Sequence, residues 1–573
     1  MSSLVAMATS ITSGALAKMD AHPILTALGS AILLFVALVI YIAWENATIP
    51  YANLPGPPTE SFIWGNLREV FESMPSLAQR RWMNEHGDTV RYSMLLSKPR
   101  LCTRDITAMS FMLQHDSDFP KPYFLQNILG KTTAPLGLLV TEGAVHHRQR
   151  RVLNPAFGPA SVKGMDPIFF DKAYELRDKL VSILHGESND VPSPTPPAPG
   201  DEAKGGRKMD ISKYLAQTTL DVIGLAGFDY DFHALAQTHN DLAEAIFHLF
   251  SEGQALTKLN ILYNFFPWIA YFYVSPARRT ILDATEKLKQ YGIEFVRRKR
   301  RQIQAEYSGQ VEKGSIVGRD LLTLLMKANM SSDLRPDQKL TDAEVVAQIV
   351  TFILAGNETS STALTWLLYR LSQNPDIQKK LRDELLGVPD DRPDQDAMNA
   401  LPYLDKVVRE ILRFDGPVPG TERCAARDIV IPLGQPVRGR DGTLIDAVTV
   451  PKGTEISFGI MEVNHSKDIW GDDADRFNPD RYDRAGLPMK SVPGVYGNLL
   501  TFLGGPHNCI GYRFALAEIK AVLFVLVRNF TFDILPSAPV IEPKTTIVMR
   551  PRVVGEEEAG LQMPLLIREY IDE

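Results

Sequence analysis

The stretch that decides the fold of this chain is residues 502–511, FLGGPHNCIG. Its glycines and proline predict a loop, because glycine lets backbone N–H groups turn toward a neighbouring atom without interference from a Cβ. From Tyr512 onward the sequence is strongly helical, so we expect Cys509 just before a helix N-terminus. The loop amides and the positive end of that helix favour a thiolate, which can bind a metal. For a cysteine considered alone, a small buried hydrophobic residue is the alternative.

This stretch resembles the haem-binding signature of the cytochrome P450 family, Phe-x-x-Gly-x-Arg-x-Cys-x-Gly. Phe502, Gly505, Cys509 and Gly511 match it. The resemblance implies that these residues bind the cofactor, haem b (iron protoporphyrin IX), with Cys509 as the axial ligand of the haem iron. His507 stands where the family usually has an arginine that contacts a haem propionate. Histidine can still donate a hydrogen bond to a carboxylate, although its charge titrates near neutrality.

Composition limits the class of protein. The chain has 573 residues, 45% of them hydrophobic, and a formal net charge of -7 at pH 7. It can therefore bury a large core, and its charge gives no reason to expect a nucleic-acid partner. Length alone favours two or more domains. With only 3 cysteines, the sequence implies no disulfide framework, which fits a reducing compartment.

The N-terminal region is predicted to attach the chain to a membrane. After a tail of residues 1–22, residues 23–44 contain no Asp, Glu, Lys or Arg and are long enough to cross a bilayer as a helix. The alternatives are a cleaved signal peptide, for which the apolar run is too long, and a buried core helix. Closely spaced prolines predict a stiff hinge over residues 45–58. Arginines beyond the hinge place the bulk of the chain in the cytosol.

The rest of the chain, residues 59–573, is predicted to form a single haem domain. Residues 187–208 are rich in proline, glycine and charge, and are predicted to be a disordered loop insertion. We expect this insertion to interrupt one domain and not to separate two, because the motifs on either side of it must meet at one cofactor.

A basic helical segment, residues 143–151, contains His146 and Arg150. A spacing of four residues places both side chains on one face of a helix. Such a basic face is usually solvated surface. In the family, however, the pattern Trp-x-x-x-Arg at this place contacts a haem propionate. His146 occupies the tryptophan position and Arg150 matches the arginine, so the resemblance implies that both bind the cofactor.

A long apolar helix is predicted after the capping-box sequence of residues 341–344, TDAE. In its middle, glycine and a hydroxyl-rich run oppose helix stability, and such a conflict often marks function. Gly356, Glu358 and Thr359 match the family pattern Ala/Gly-Gly-x-Asp/Glu-Thr. There the small residues make room for dioxygen, and the acid and alcohol relay protons. The alternative is a helix–helix contact through small residues.

Further motifs reinforce the resemblance. Glu410 and Arg413 lie on one helix face, and Arg481 follows in a segment that resembles the family's Pro-Glu-Arg-Phe box. The resemblance implies that these three residues form a structural network on the thiolate side of the haem. Arg423 lies in a segment, Thr-Glu-Arg, that resembles the strand whose arginine contacts a haem propionate.

Together the motifs imply a mainly α fold with a small β region, which replaces the expectation from length. The implied function is an NADPH- and O2-dependent monooxygenase acting on a lipophilic small molecule, such as a terpenoid or other secondary metabolite. The implied partners are NADPH–cytochrome P450 reductase, the membrane and, as an optional electron donor, cytochrome b5. The implied location is the endoplasmic reticulum membrane, with a single span and a cytosolic catalytic domain. A haem-thiolate isomerase or dehydratase and a non-catalytic haem-binding membrane protein are the alternatives.

Overall fold

The computed structural model describes residues 23–202, 205–236, 274–307, 320–330, 335–545 and 547–571. Over these residues the chain is mainly α-helical with a small β region, which confirms the predicted fold class. The predicted tail, residues 1–22, lies outside the described residues.

The α-helices of the described residues are α1 (Pro23–Thr48), α2 (Leu67–Glu72), α3 (Leu77–His86), α4 (Ile106–Gln114), α5 (Tyr123–Thr132), α6 (Gly143–Leu153), α7 (Pro159–Lys163), α8 (Asp166–Leu184), α9 (Ile211–Phe228), α10 (Pro276–Tyr307), α11 (Leu321–Met330), α12 (Asp342–Gln373), α13 (Pro375–Leu386), α14 (Gln395–Asn399), α15 (Pro402–Phe414), α16 (Ile460–Asn464), α17 (Lys467–Trp470) and α18 (Tyr512–Asn529).

The strands form small sheets at the edges of the helical body. One sheet has the order β1-β2-β7-β4, and its only parallel pair is β2 with β7. A second has the order β3-β11-β8, and the pairs β5-β6 and β9-β10 are two-stranded. The strands are β1 (Thr89–Ser93), β2 (Pro99–Thr103), β3 (Arg207–Asp210), β4 (Gly420–Cys424), β5 (Ile429–Arg438), β6 (Leu444–Val450), β7 (Glu455–Gly459), β8 (Phe530–Asp533), β9 (Ile541–Thr545), β10 (Met549–Val553) and β11 (Pro564–Glu569).

Helix α12 runs through the core and is buried along most of its length. It starts as predicted, because the Thr341 side chain accepts a hydrogen bond from the Glu344 N–H while the Glu344 carboxylate accepts from the Thr341 N–H. A helix buried on all sides must be apolar all round. The few polar side chains in its middle are therefore the ones that need a structural or chemical explanation.

Helix α1 has the length and apolar composition to cross a membrane over Leu28–Thr48. It extends past Trp44, where the sequence predicted the start of the hinge, so residues 45–48 are helical. In this polar last turn the Asn46 side-chain amide donates to the Ile42 carbonyl at 3.0 Å. The helix thus extends four residues beyond the apolar run, and the candidate span ends with it at Thr48.

The proline-rich residues after α1 lie along the first sheet. The Arg91 N–H of β1 donates to the Pro55 carbonyl at 2.9 Å, and the Asn66 amide donates to the Pro58 carbonyl at 2.8 Å. A Cβ on Gly56 would overlap the Arg91 carbonyl oxygen. These contacts attach the proline-rich segment to the sheet, so it is not a freely moving linker at this end.

The segment 187–208, whose disorder stays a prediction, forms hydrogen bonds with distant parts of the chain over its described residues, 187–202 and 205–208. Strand β3 begins inside it, at Arg207, and pairs with β11. Lys213 donates to the Asp190 carboxylate at 2.9 Å, and Asp201 accepts a backbone N–H from the segment after β8 at 3.0 Å. The composition correctly indicated little apolar burial, but it could not reveal hydrogen bonds to partners distant in sequence.

The predicted network of Glu410, Arg413 and Arg481 is present and its side chains are fully buried. The Glu410 carboxylate accepts from Arg413 at 2.8 Å and from Arg481 at 3.0 Å. Both guanidinium groups also donate to carbonyls of the segment before the Cys509 loop, including that of Arg476. The network thus joins helix α15 to that irregular segment.

We expect Glu410→Gln to lower the free energy of unfolding by roughly 3–5 kcal/mol, because it removes the charge that pairs with two buried guanidinium groups. Asp383→Asn is the control, because it breaks an exposed pair with Lys379 and should cost less than about 1 kcal/mol. Urea unfolding followed by tryptophan fluorescence in one detergent measures both. Equal effects of the two substitutions would show that the buried network does not stabilise the fold.

Candidate functional site

The loop that carries Cys509 is fixed by its backbone. The Cys509 N–H donates to the Phe502 carbonyl at 2.8 Å, which closes the loop. Gly505 has a φ of 67°, and a Cβ there would overlap the carbonyl oxygen of Leu113 at the end of α4. Glycine is therefore required at this position for both its conformation and its size.

Cys509 lies three residues before Tyr512, where α18 begins, and its side chain is accessible. The dense protein around the thiol raises its pKa, while the backbone N–H of Gly511 and the charge of Arg150 act in the opposite direction. A bound metal cation would supply the remaining stabilisation that a thiolate needs. The predicted position before a helix N-terminus is thus observed, and Gly511 is the N-cap residue of α18.

Arg150 contacts the cysteine loop directly. Its guanidinium donates to the carbonyl oxygen and to the side-chain oxygen of Asn508, and to the side-chain oxygen of Asn154. Since Asn508 precedes Cys509, Arg150 both braces the loop and places a positive charge near the thiol. The contact with Asn508 was not predicted, because helical spacing shows only which face of α6 carries Arg150, and the contact with a haem propionate stays a prediction.

His146 and His507 form one stacked pair, with ring centroids 3.8 Å apart. His507 Nε2 lies 3.2 Å from the Glu142 carboxylate, and Lys121 Nζ donates to that carboxylate at 2.6 Å. Burial alone would raise the pKa of Glu142, but His507 and Lys121 outweigh it and lower that pKa to about 2. Burial lowers the pKa of His146 to about 3, so its ring is neutral at pH 7.

Arg423 extends this cluster from β4 and is 4% exposed. Its guanidinium donates to the Thr421 hydroxyl at 3.1 Å and to the Glu422 carbonyl at 2.8 Å. Burial lowers the pKa of Arg423, and the charge of Glu142 opposes that shift. Within the described residues this guanidinium has no ion pair with a carboxylate.

These residues fit the carboxylates of a haem. Nδ1 of His146 is buried without a hydrogen-bond partner among the residues that the structure describes, and such an atom needs a partner. Lys121, Arg423 and the two histidines together form a set of donors suited to anionic oxygens. An accessible thiol on the nearby loop completes a donor set for an iron porphyrin.

The middle of α12 contacts α9 closely at Gly356. A Cβ on this glycine would lie 3.0 Å from the Ile223 side chain of α9, tighter than ordinary van der Waals contact. One residue on, the Asn357 side chain accepts a hydrogen bond from Thr219 of α9 at 2.6 Å. Part of the small and polar run in α12 therefore serves helix packing, which was the alternative interpretation.

Glu358 and Thr359 have different surroundings on α12. The buried Glu358 carboxylate forms an ion pair with Arg550 of β10. Burial raises the pKa of Glu358, and the Arg550 charge opposes that shift. The Thr359 hydroxyl donates to the Ala355 carbonyl at 2.7 Å, and Ala355 is exposed although its neighbours along α12 are buried. An open space therefore adjoins this turn of the helix.

Aromatic packing connects α12 to the cysteine loop. The Phe157 ring packs close to Gly511, since a Cβ on that glycine would lie 3.8 Å from it. The same ring contacts the Phe352 ring of α12, with the two centroids 5.2 Å apart. Phe502 packs between Tyr496 and Tyr512, with centroids 6.1 Å from each ring. The loop and the central helix are thus neighbours, as the predicted site requires.

Sequence reasoning missed several residues of this site. Lys121 had one signal, since it is the only charge in an apolar and aromatic stretch and lies between two prolines. Arg550 had no local signal, because it lies 192 residues from Glu358. Glu518 on α18 is buried beside Ser360 of α12, and burial raises its pKa to about 8.

Comparison with known proteins identifies relatives over nearly the whole length. Residues 55–554 match the family described as cytochrome P450. The chain is 39% identical to cytochrome P450 monooxygenase 205 of Postia placenta, over 94% of this chain and 96% of that protein. It is 39% identical to cytochrome P450 monooxygenase 128 of the same fungus, over 97% of this chain and 99% of that protein. It is 33% identical to a ganoderic acid synthetase of Ganoderma lucidum, over 88% of this chain and 93% of that protein.

We expect His507→Ala to lower the amount of haem bound per protein, because it removes the stack on His146 and a partner of Glu142. His507→Arg should retain haem, because arginine restores a donor and a positive charge near that carboxylate. His147→Ala, an exposed neighbour on α6, is the matched control and should retain haem. The ratio of haem absorbance to protein absorbance measures each variant. Equal haem content in all four proteins would show that His507 does not contribute to binding.

Proposed function

Because this chain belongs to the cytochrome P450 family, we propose that it is a monooxygenase that inserts one oxygen atom from O2 into a lipophilic small molecule. The observation that carries the proposal is the accessible Cys509 thiol at the start of α18, hydrogen-bonded by the Gly511 N–H. Haem b ligated by this thiolate supplies the oxygen-activating chemistry, and thiolate donation favours O–O cleavage.

The cofactor carboxylates are proposed to bind the donor cluster around His146 and His507. His146 offers a buried nitrogen without a partner, and Arg423 and Lys121 offer charged donors. Arg150 is proposed to act mainly on the loop, because its hydrogen bonds go to Asn508. Gly505 allows the loop to approach α4, and the Phe502 carbonyl holds the Cys509 N–H.

Glu358 and Thr359 are proposed to deliver protons at the turn of α12 that adjoins Ala355. Glu358 is buried and paired with Arg550, so its proton affinity depends on that pairing. The Thr359 hydroxyl donates to the Ala355 carbonyl, which leaves its oxygen free to accept a hydrogen bond. Gly356 is proposed to keep this turn narrow and close to α9.

The proposed electron source is NADPH, through a membrane-bound cytochrome P450 reductase, with cytochrome b5 as an optional second donor. Members of this family generally need a redox partner. Helix α1 supports a single membrane span, since Leu28–Thr48 has the length and apolarity to cross a bilayer. The proposed location is the endoplasmic reticulum membrane, with the haem domain in the cytosol.

The proposed substrate class is a lipophilic secondary metabolite such as a terpenoid. One relative is named as a ganoderic acid synthetase, and others are named as fungal monooxygenases. Candidate terpenes, sterols and fatty acids supplied to a host that expresses this chain, followed by product analysis, test this class. Oxygenated products that depend on the chain, NADPH and reductase would support the proposal, and substrate turnover without NADPH would contradict it.

We expect Cys509→Ala to abolish the red-shifted absorbance band of the reduced carbon-monoxide complex, because that band requires thiolate ligation. Cys424→Ala is the control, since Cys424 is a half-buried residue of β4 and should leave the band unchanged. Difference spectra of detergent extracts measure both variants. If the band survives in Cys509→Ala, another sulfur is the ligand and the proposed site is wrong.

We expect Thr359→Val to bind haem and to oxidise NADPH, but to release hydrogen peroxide in place of product. Proton transfer by a positioned group typically contributes about 10²–10⁴-fold to a reaction rate, so the rate of product formation should decrease by a factor in that range. Thr365→Val is the control, because the Thr365 hydroxyl makes the same 2.7 Å bond to the carbonyl four residues before it. NADPH, peroxide and product are measured with a substrate that the wild-type enzyme converts. Wild-type coupling in Thr359→Val would favour a purely structural role for the hydroxyl and overturn the proposed proton relay.

A further inference from the structure

A cavity of about 310 Å³ lies where helix α1 meets the haem domain, away from the cysteine loop. Val39, Ile42, Ala43 and Asn46 of α1 form one wall. Their spacing of three and four residues places them on one face of the helix. The opposite wall comes from the proline-rich segment, from β1 and from the turn after β5.

Among the described residues, two arginines line this cavity and no acidic residue does. Arg91 is 8% exposed, and it donates to the Asn46 side-chain oxygen at 2.6 Å and to the Ala52 carbonyl at 3.2 Å. Both of these acceptors are neutral. Burial lowers the pKa of Arg91, and the nearby charge of Arg440 lowers it further. A buried guanidinium in these surroundings is poorly compensated.

Arg440 brings a second positive charge to the same space. In the described part of the chain, neither Arg440 nor Arg91 forms an ion pair with a carboxylate. Asp441 is next in sequence, but its carboxylate accepts from Asn53 and Thr443. Two unneutralised guanidinium groups beside one cavity are a site for an anion, and their planar donor sets suit phosphate oxygens.

The cavity also has an apolar side, which a soluble anion would not need. Val39 and Ile42 line it from α1, and Phe62 lines it from the haem domain. On the polar side, Thr59 and Ser93 hydroxyls lie 2.8 Å apart and add neutral hydrogen-bonding groups. The site is therefore amphipathic, with apolar and cationic surfaces facing one space.

The position along α1 matches the depth of lipid headgroups, if the helix crosses the membrane as proposed above. At about 1.5 Å per residue, the uncharged segment 23–44 is roughly 33 Å long, close to the hydrocarbon thickness of about 30 Å. Asn46 lies just beyond that segment and contacts Arg91. The arginines are thus at the level of lipid phosphates, and the apolar wall extends into the hydrocarbon.

We propose that this cavity binds the phosphate group of an anionic phospholipid from the leaflet on the side of the haem domain. The phosphate contacts Arg91 and Arg440, and the first part of an acyl chain lies against Val39 and Ile42. The lipid neutralises the two arginines and links α1 to the first sheet. It therefore fixes the orientation of the haem domain at the membrane surface.

The test uses the full-length haem protein in detergent, with bound lipids counted by native mass spectrometry. The probes are dioctanoyl phosphatidic acid, dioctanoyl phosphatidylcholine and inorganic phosphate. The test variant is Arg440→Gln. The control is Arg438→Gln, which also removes one exposed positive charge but at a residue that does not line the cavity. Co-sedimentation with phosphatidylcholine vesicles tests membrane attachment separately.

We expect wild type and Arg438→Gln to bind phosphatidic acid in preference to phosphatidylcholine, and Arg440→Gln to bind it about tenfold more weakly, as for one charged hydrogen bond. Equal losses in both variants would indicate general surface charge and overturn the site. Displacement by millimolar inorganic phosphate would identify a free-phosphate site and overturn the lipid assignment, as would equal binding of phosphatidylcholine. Failure to sediment with vesicles would refute membrane attachment, whereas sedimentation without lipid selectivity would refute the cavity proposal alone.

Discussion

The close approach of the loop 502–511 to helix α4 is the constraint on which the site depends. At Gly505 the loop backbone passes so near the Leu113 carbonyl oxygen that no side chain fits, and φ there is 67°. This contact and the bond from the Cys509 N–H to the Phe502 carbonyl leave the loop one conformation. The thiol is therefore held first by backbone geometry, and the Arg150 side chain adds hydrogen bonds to Asn508 beside it.

The polar cluster around His507 illustrates how burial and charge are balanced at the proposed cofactor site. Glu142 is the anion that holds Lys121 and His507 in place before any ligand carboxylate is considered. Without Glu142, burial of the Lys121 ammonium would be costly, because burial already lowers its pKa. A histidine at position 507 suits this arrangement, since its flat ring stacks on His146 while its Nε2 lies 3.2 Å from the Glu142 carboxylate.

Much of this arrangement could be predicted from the sequence, because it depends on local patterns. The loop before α18, the capping box of α12 and the pairing of Glu410 with Arg413 all follow from residues within ten positions of each other. Contacts between distant segments could not be predicted. The strand at Arg207 and the pairing of Arg550 with Glu358 depend on how separate segments pack, and no local pattern encodes that.

The pairing of Glu358 with Arg550 also affects whether a carboxyl group in a buried helix is protonated or ionised. A lone carboxyl at this depth would stay protonated and neutral, because burial raises its pKa. A permanently fixed ion pair would instead hold it ionised and unable to give up a proton. Arg550 lies on β10, which is attached to α12 at the preceding residue, because the Trp366 indole N–H donates to the Met549 carbonyl at 2.7 Å. The position of β10 against α12 therefore determines how strongly Arg550 opposes the effect of burial on the pKa of Glu358.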